Sequence, residues 1–311
     1  MMNLTENPWR YMNSQTVRRI DLKTIHNLFW ICDDDGRFGM MFHFNHSLPQ
    51  ESFIGQMKGI SIATVDNDGT RFYLILHENK DWEMFLAVCC DIVDRVSRAR
   101  DESDMIRIIN QRIKRWQRFL SEDRPLSMPE KIQMGLFAEL YCILDLILPA
   151  IGYRNAIIGW VGPDSDQKDF SLQECFLEVK SYVSSKGPKI RISSLAQLDT
   201  DIKPVYLICY ALSQRSSGLD IPSLVKTIID LITPMDIQIL GIFEERLSAY
   251  GYIEGITQGP FSSYFIDSSK TYKVETDFPR ITNDMIDSRI SGVKYSLDLL
   301  QFEKYEQKLP F

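Results

Sequence analysis

Three residues near the middle of the chain have side chains and a spacing that suit catalysis. Asp169 begins one short apolar run, and Glu178 and Lys180 lie in the next one. If the two runs form a hairpin that turns at Gln173-Glu174, Asp169 lies opposite Glu178, with the Cβ atoms about 5 Å apart. Lys180 shares the face of Glu178 because side chains alternate along a strand. Two carboxylates and a lysine on one sheet face are the groups that metal-assisted hydrolysis of a phosphodiester needs.

Asp164 competes with Asp169 for the role of the first carboxylate. The dipeptide Pro163-Asp164 also precedes Glu178, but it belongs to the segment 162–166, whose glycine, proline, serine and aspartates indicate a loop. Asp169 instead begins a strand-like run, and we therefore assign the role to Asp169. Since Gln173-Glu174 is not a favoured two-residue turn, a slipped register is the alternative.

The first part of the chain predicts an α+β region that is rich in strands. The turn signals Asp33-Asp34-Asp35-Gly36 and Asn67-Asp68-Gly69 separate apolar runs, which we interpret as strands at 38–44, 60–65 and 72–76. Two helices follow, at about 82–99 and 103–120, and the polar segment 122–125 marks a domain boundary. We expect this region, 1–124, to bind DNA or a partner.

From residue 128 the pattern predicts the element order α-β-β-β-α-β-α. Ser127 and Glu130 form a capping box at the start of the first helix, and Pro149 ends that helix. The remaining elements are a strand at 156–161, the hairpin, a helical turn at 193–198, a buried strand at 205–212 and a helix at 222–232. The fold class is therefore α/β, with a mixed sheet flanked by helices at 125–235. A C-terminal α+β extension, 236–311, packs on this core.

The composition limits the class of protein. The chain has 311 residues, 44% of them hydrophobic, with a net charge of −7 and an isoelectric point near 5.3. This balance is ordinary for a globular protein and lacks a basic excess, although local charge governs the docking of nucleic acid. The six cysteines show no zinc-ligand spacing, and the most apolar run, 140–151, is too short to span a membrane. We therefore expect a soluble, cytoplasmic protein with no membrane partner.

The predicted order and the residues on it resemble the PD-(D/E)xK nuclease superfamily, which has a restriction-endonuclease-like core. The matching residues are Glu139 on the first helix, Asp169 at the second strand and Glu178-Val179-Lys180 on the third. The segment 191–198, which contains Gln197, adds to the likeness. Over most of the chain, the narrower resemblance is to a bacterial PD-(D/E)xK family associated with restriction-modification and phage-defence genes.

The resemblance implies a Mg²⁺-dependent DNA endonuclease in which Mn²⁺ can substitute for Mg²⁺. Lys180 would orient the attacking water or stabilise the phosphate, and Gln197 would position water or phosphate. The metal ligands that it implies are Asp169, Glu178 and the carbonyl of Val179, and Glu139 would bind a second metal or hold a metal-bound water.

Two groups of basic residues are candidate DNA contacts. One group shares a face of the second helix, and the other directly follows the catalytic strand, where the geometry of the family places DNA. The six residues are Arg107, Lys114, Arg118, Lys186, Lys189 and Arg191.

Two other functions are compatible with the same residues. The chain is then either a catalytically silent nuclease-like subunit that binds DNA or protein, or a nuclease directed to RNA or to a particular nucleic-acid structure. Because the sequence holds no P-loop, an ATPase would be a partner subunit, as would a methyltransferase. A cutter of palindromic sites would form a homodimer, since two strands require two sites.

Overall fold

A computed structural model of the chain describes residues 6–22, 24–49, 57–121, 127–164, 168–199, 202–232, 236–254, 257–290 and 292–311, without the side chains of Arg118, Ser121, Asp164 and Ile237. The chain divides into two compact units, Met1–Pro125 and Leu126–Phe311. The boundary predicted at 122–125 lies outside the described residues.

The first unit contains a five-stranded antiparallel sheet and two helices. Every second side chain of the central strands is buried, because one face of the sheet lies under helix. The strands pair in the order β1-β2-β3-β5-β4. The elements are β1 Thr16–Arg19, β2 Asn27–Cys32, β3 Phe38–Phe44, β4 Ile60–Asp66, β5 Thr70–Leu76, α1 Trp82–Val96 and α2 Glu102–Ser121. The predicted strands and both predicted helices are confirmed.

Part of the basic charge of α2 is internal to the first unit. Arg112 and Arg115 are buried, and each has a guanidinium nitrogen 3.6 Å from Oδ1 of Asp91 on α1. The indole of Trp116 donates to Oδ2 of Asp91 at 2.9 Å. Because a buried charge needs a partner, this cluster ties α1 to α2.

The second unit contains a mixed four-stranded sheet and a separate two-stranded sheet, flanked by helices. The larger sheet has the order β10-β9-β7-β6, with β7 and β9 parallel, and the smaller one pairs β8 with β11. The elements are α3 Glu130–Cys142, α4 Leu148–Gly159, β6 Phe170–Ser171, β7 Phe176–Val183, β8 Lys189–Ile192, β9 Val205–Leu219, α5 Ile221–Ile232, α6 Ile237–Tyr250, β10 Tyr264–Lys273 and β11 Tyr295–Asp298. A mixed α/β fold is therefore confirmed.

Strand β9 is buried on both faces, as its continuous apolar run predicts. Ile208 and Leu212 pack in the core that the helices cover, whereas Leu207 and Cys209 pack in a second core with β8 and β11. The helix-covered core also contains residues of α6 and β10. The segment 236–311 thus supplies part of the same core and the edge strand of the same sheet.

The strand predicted at 156–161 is wrong, so the predicted element order is not reproduced. These residues continue α4 as far as Gly159, and Trp160 alone forms a bridge, with Phe170. Arg246 of α6 donates to the carbonyls of Ile157 and Ile158, the latter at 3.0 Å. Those carbonyls end a helix and need donors, which a distant element supplies.

Two predictions about the ends of the first helix are also wrong. Pro129, not Ser127, precedes the helix, and Gln133 ties this end by donating to the Met128 carbonyl at 2.8 Å. Pro149 does not end the helix, and the break comes three residues later, at Gly152, where φ is 77° and ψ is 160°. A π-helical turn at 143–147 precedes Pro149, which then lies in the first turn of α4, where its missing N–H is tolerated.

The resulting stretch, Glu130–Gly159, is by length and composition apolar enough to cross a membrane. The run 140–151, expected to be too short, is therefore followed by more helix, although the non-helical backbone of Gly152 divides the stretch. Its apolar residues, among them Leu136, Phe137 and Ile143, lie in the core of the second unit. Packing against the sheet accounts for its composition.

Gly69 offers a test of the turn between β4 and β5. This predicted turn is confirmed, and Gly69 has a φ of 93°. A Cβ at Gly69 would lie 2.1 Å from the carbonyl oxygen of Phe44, so Gly69→Ala adds a clash with backbone to a left-handed conformation. We expect the free energy of unfolding to fall by about 1–3 kcal/mol, measured by thermal denaturation.

Gly59→Ala is the matched control. Gly59 has a φ of 78°, and no described atom lies within 4 Å of the added Cβ. This variant carries the conformational strain without the clash and should lose less stability. Equal losses in the two variants would contradict the close approach at Gly69.

Candidate active site

The hairpin has the register that places Asp169 beside Glu178. Phe170 pairs with Leu177 and Ser171 with Phe176. The N–H of Leu172 donates to the Cys175 carbonyl at 2.9 Å, so the turn lies at Gln173-Glu174. Oδ2 of Asp169 accepts a hydrogen bond from the N–H of Val179 at 2.7 Å, which fixes the carboxylate against β7. The predicted register is confirmed.

Glu178 and Lys180 form an ion pair on one face of β7. Their neighbours Leu177 and Val179 pack in the helix-covered core, so alternation turns Glu178 and Lys180 to the other face. Nζ of Lys180 donates to Oε1 of Glu178. Glu178 is fully buried, and its Oε2 has no hydrogen-bond partner among the described residues. One buried acceptor thus points into the site unsatisfied.

Glu139 of α3 is held by two aromatic residues that the sequence analysis missed. Trp160 Nε1 donates to Oε2 of Glu139 at 2.7 Å, and the hydroxyl of Tyr250 donates to Oε1. The two rings stack, with centroids 6.1 Å apart and planes 14° apart. Trp160 follows α4 and Tyr250 ends α6, so neither lies near Glu139 in sequence. No local pattern signals this pairing.

Gly162 lies between the carboxylates of Asp169 and Glu139. The N–H of Gly162 donates to the Asp169 carbonyl at 2.9 Å, which holds the two backbones together. A Cβ at Gly162 would lie 3.2 Å from Oδ1 of Asp169 and 3.3 Å from Oε2 of Glu139. Both carboxylate oxygens therefore border one small space, which exists because residue 162 has no side chain.

Lys168 is a second buried lysine beside the acids. Its ammonium donates to the carbonyls of Ala196 and Asp199, the latter at 3.2 Å, and so ties the chain before β6 to the loop before β9. Its charge lowers the pKa of Asp169 and of Glu178, in opposition to burial. Its position directly before Asp169 was visible in the sequence, but its burial was not.

Burial raises the pKa of all three carboxyl groups. Desolvation, with a contribution from the charge of Asp169, raises the pKa of Glu178 to about 8, although Lys180 opposes the shift. Desolvation also raises the pKa of Asp169 above its usual value. The pKa of Glu139 lies well above its usual range, first through desolvation and then through the charge of Asp169.

Lys180 responds in the opposite way to its surroundings. Burial alone would lower its pKa, but the carboxylates of Glu178 and Asp169 outweigh burial and raise it above the usual value. Lys180 therefore carries its proton at neutral pH. In this site it is a fixed positive charge and not a base.

The donor set fits a hard divalent cation. The space beside Gly162 and the unsatisfied Oε2 of Glu178 provide carboxylate oxygens, the ligands that Mg²⁺ prefers. Among the described residues, no three histidine, cysteine, aspartate or glutamate side chains are already arranged to hold a metal ion. Lys180, Trp160 and Tyr250 each donate to one of the carboxylate oxygens.

The other predicted site residues have varied placements. Oε1 of Gln197 accepts from the N–H of Ser193 at 2.7 Å and so closes its own turn. Asp164 lies in a short helical turn, and its side chain is outside the described residues. The roles of these residues stay predictions.

The candidate DNA contacts are mostly exposed. Lys186, Lys189 and Arg191 lie on the surface after β7, with Lys189 3.9 Å from Asp298. In the first unit Lys114 is exposed and Arg107 pairs with Asp104, whereas the side chain of Arg118 is not described. Their contact with DNA stays a prediction.

Glu178 predicts an unusual pH dependence of stability. Its folded-state pKa of about 8 lies above the ordinary 4.5, so the native state keeps a proton that the unfolded chain releases between these values. Stability from this group is complete below about pH 4.5 and is lost as the pH rises through 8. In EDTA we expect the unfolding temperature to fall over this range, and to fall less steeply in Glu178→Gln.

Glu174→Gln, in the exposed hairpin turn, is the control and should follow the wild type. The assignment fails if Glu178→Gln and wild type show the same dependence of unfolding temperature on pH.

Comparison with known protein families agrees with this geometry. A family model described as "Putative PD-(D/E)XK family member, (DUF4420)" matches residues 5–300 and so spans both units. Searches of curated proteins and of solved structures gave no match. The resemblance read from Glu139, Asp169 and Glu178-Val179-Lys180 is thereby confirmed: the chain belongs to this PD-(D/E)XK family.

Proposed function

We propose that this protein is a metal-dependent nuclease that hydrolyses phosphodiester bonds in DNA. The observation that carries the proposal is the cluster of three carboxyl groups around the charged Lys180, in which Glu139 and Glu178 are buried, Asp169 is half-buried and one buried oxygen is unsatisfied. Burying carboxylates is costly unless a cation compensates them, and perturbed acids that cluster in this way are typical of catalytic sites.

Mg²⁺ is the cation we assign to the site, and Mn²⁺ would substitute for it. Asp169, Glu178 and Glu139, together with the carbonyl of Val179, would hold it. When bound, such a cation lowers the pKa of water and stabilises charge on the phosphate.

The protein's own groups have separate roles in the proposal. Lys180, kept protonated by its neighbours, presents a positive charge to the scissile phosphate. Val179 N–H orients the carboxylate of Asp169 by its 2.7 Å hydrogen bond. Trp160 and Tyr250 fix Glu139. Asp169 and Glu139 therefore need not change orientation during the reaction.

The biological setting that we propose is a bacterial restriction or phage-defence system in the cytoplasm. All six cysteines are free and buried, as expected of a reducing compartment. A partner ATPase or methyltransferase and a homodimer remain part of this proposal. The alternative is a silent subunit of such a system that binds DNA or protein without cleavage, and RNA is the alternative substrate.

Lys180→Ala tests the proposed function. Because Lys180 supplies the fixed positive charge, its loss should slow the nicking of supercoiled plasmid in Mg²⁺ by about 100-fold or more. Lys180→Ala leaves Glu178 without its ion-pair partner and could therefore disturb folding. Asp169→Asn is a second variant that keeps both Lys180 and the size of the side chain, and it should cleave equally slowly.

Lys226→Ala is the matched control, since this lysine is 70% exposed and pairs with Asp230 on α5. It should cleave at the wild-type rate. Wild-type cleavage by Lys180→Ala would refute the assignment. If wild type neither cleaves nor binds Mn²⁺, the silent-subunit alternative is correct.

Gly162→Ala tests the cation position separately. The added Cβ occupies the space between Asp169 Oδ1 and Glu139 Oε2, so binding of Mn²⁺ should weaken at least tenfold by isothermal titration calorimetry. Gly135→Ala is the control on α3, because no described atom lies within 4 Å of its Cβ. Unchanged Mn²⁺ affinity in Gly162→Ala would place the cation elsewhere.

A further inference from the structure

One face of the sheet in the first unit is not covered by any helix that the structure describes. Trp9 packs on Trp30 and on Phe85 of α1, with ring centroids 5.0 and 5.3 Å away, so α1 lies on the Trp30 side. Directly paired residues share a face, and Phe29 alternates with Trp30. The open sheet face is therefore formed by Val17, Arg19, Asn27, Phe29, Ile31, Gly39, Met41, His43, Ser61, Ala63, Val65, Arg71, Tyr73 and Ile75.

This open sheet face is a groove with aromatic walls. Its volume is about 870 Å³, and Phe29, Met41 and Tyr73 all line it. These three form one row across β2, β3 and β5, with Met41 buried between two partly exposed rings. The solvent face of an antiparallel sheet is normally polar, so an apolar, aromatic groove indicates a binding surface.

The charge of the open sheet face is basic, although the whole chain has a net charge of −7. On the strand residues of this face the fully charged side chains are Arg19 and Arg71. Three aspartates, Asp33, Asp34 and Asp35, meet the groove at one end, in the turn after β2, where Arg37 pairs with Asp33 at 2.8 Å and with Asp35 at 2.9 Å. The strand part of the groove, which holds Arg71 and His43 and no acid, favours an anion, and Arg19 lies on the same sheet face outside the groove.

We infer that the open sheet face binds single-stranded nucleic acid. Unpaired bases stack on exposed aromatic rings, whereas a duplex hides the faces of its bases. Phe29 and Tyr73 are two strand spacings, or about 10 Å, apart, so each ring takes a different base. Arg19 and Arg71 lie beside the two rings and contact phosphates. The inference rests on the proposed function. It adds that the nucleic acid cleaved by the protein contains a single-stranded segment.

A protein ligand would also use aromatic and arginine contacts. The absence of acidic side chains on the strand residues of this face, all of which are described, favours a polyanion instead. DNA and RNA share the chemistry invoked, and oligonucleotides of both kinds separate them.

The test is binding by the full chain carrying Lys180→Ala, which prevents cleavage from obscuring the measurement. Fluorescence anisotropy with labelled 12-nucleotide oligo(dT), oligo(U) and a 12-base-pair duplex gives Kd. We expect tighter binding of at least one single strand than of the duplex. Tyr73→Ala should weaken that binding about tenfold, and Tyr73→Phe, which retains the ring, should not. Arg71→Ala should also reduce the salt dependence by about one unit of log-log slope.

Arg98→Ala is the control, because Arg98 is 64% exposed and lies after α1, outside the groove. It should bind like the parent chain. The inference is overturned if Tyr73→Ala and Arg71→Ala bind as Arg98→Ala does, or if the duplex binds as tightly as the single strands. Binding that is lost in Tyr73→Ala and kept in Tyr73→Phe, together with no nuclease activity in wild type, would contradict the proposed function but support this inference.

Discussion

The desolvation of carboxylates is the constraint on which the second unit depends. Asp169, Glu178 and Glu139 come together where water is largely excluded, and an uncompensated charge there costs several kcal/mol. Three kinds of group offset this cost. Lys180 on β7 pairs with Glu178, the N–H of Val179 donates to Asp169, and Trp160 and Tyr250 donate to Glu139. Each partner comes from an element that also packs in a core, so the site and the stability of the unit are inseparable.

The same constraint bears on Asp169, which lies at the edge of the sheet, whereas Glu178 and Lys180 lie on β7 between β6 and β9. Strand β6 has only two residues, and Asp169 lies just before it, next to the chain that leaves α4. An edge position lets Gly162 bring its backbone against Asp169 without a competing strand. A central strand such as β9, which is buried on both faces, leaves no room for a phosphate to approach.

What could be predicted from the sequence was local or periodic. The pairing of Asp169 with Glu178, the buried run of β9 and the turn at Asn67-Asp68-Gly69 depend on neighbours within about ten residues, and each is confirmed. Residues 156–159 are helical but were predicted to be a strand. A short run of apolar residues fits a buried strand and a buried helix equally well.

The features that were not predicted depend on contacts between residues that are far apart in the sequence. Arg246 satisfies the end of α4, and Asp91 buries two arginines that otherwise suggest a surface for DNA. The aromatic clamp on Glu139 likewise joins α3 to residues 21 and 111 positions away.

That clamp has a consequence for how the second unit can be inherited or transplanted. Tyr250 and Arg246 lie on α6, and β10 closes one edge of the sheet, yet all three follow the residues that carry the PD-(D/E)XK motif. A gene fusion or recombination that joined foreign sequence after residue 235 would keep every motif residue and lose the groups that seat Glu139. The motif marks the chemistry, but the unit that can move between proteins extends at least to Lys273.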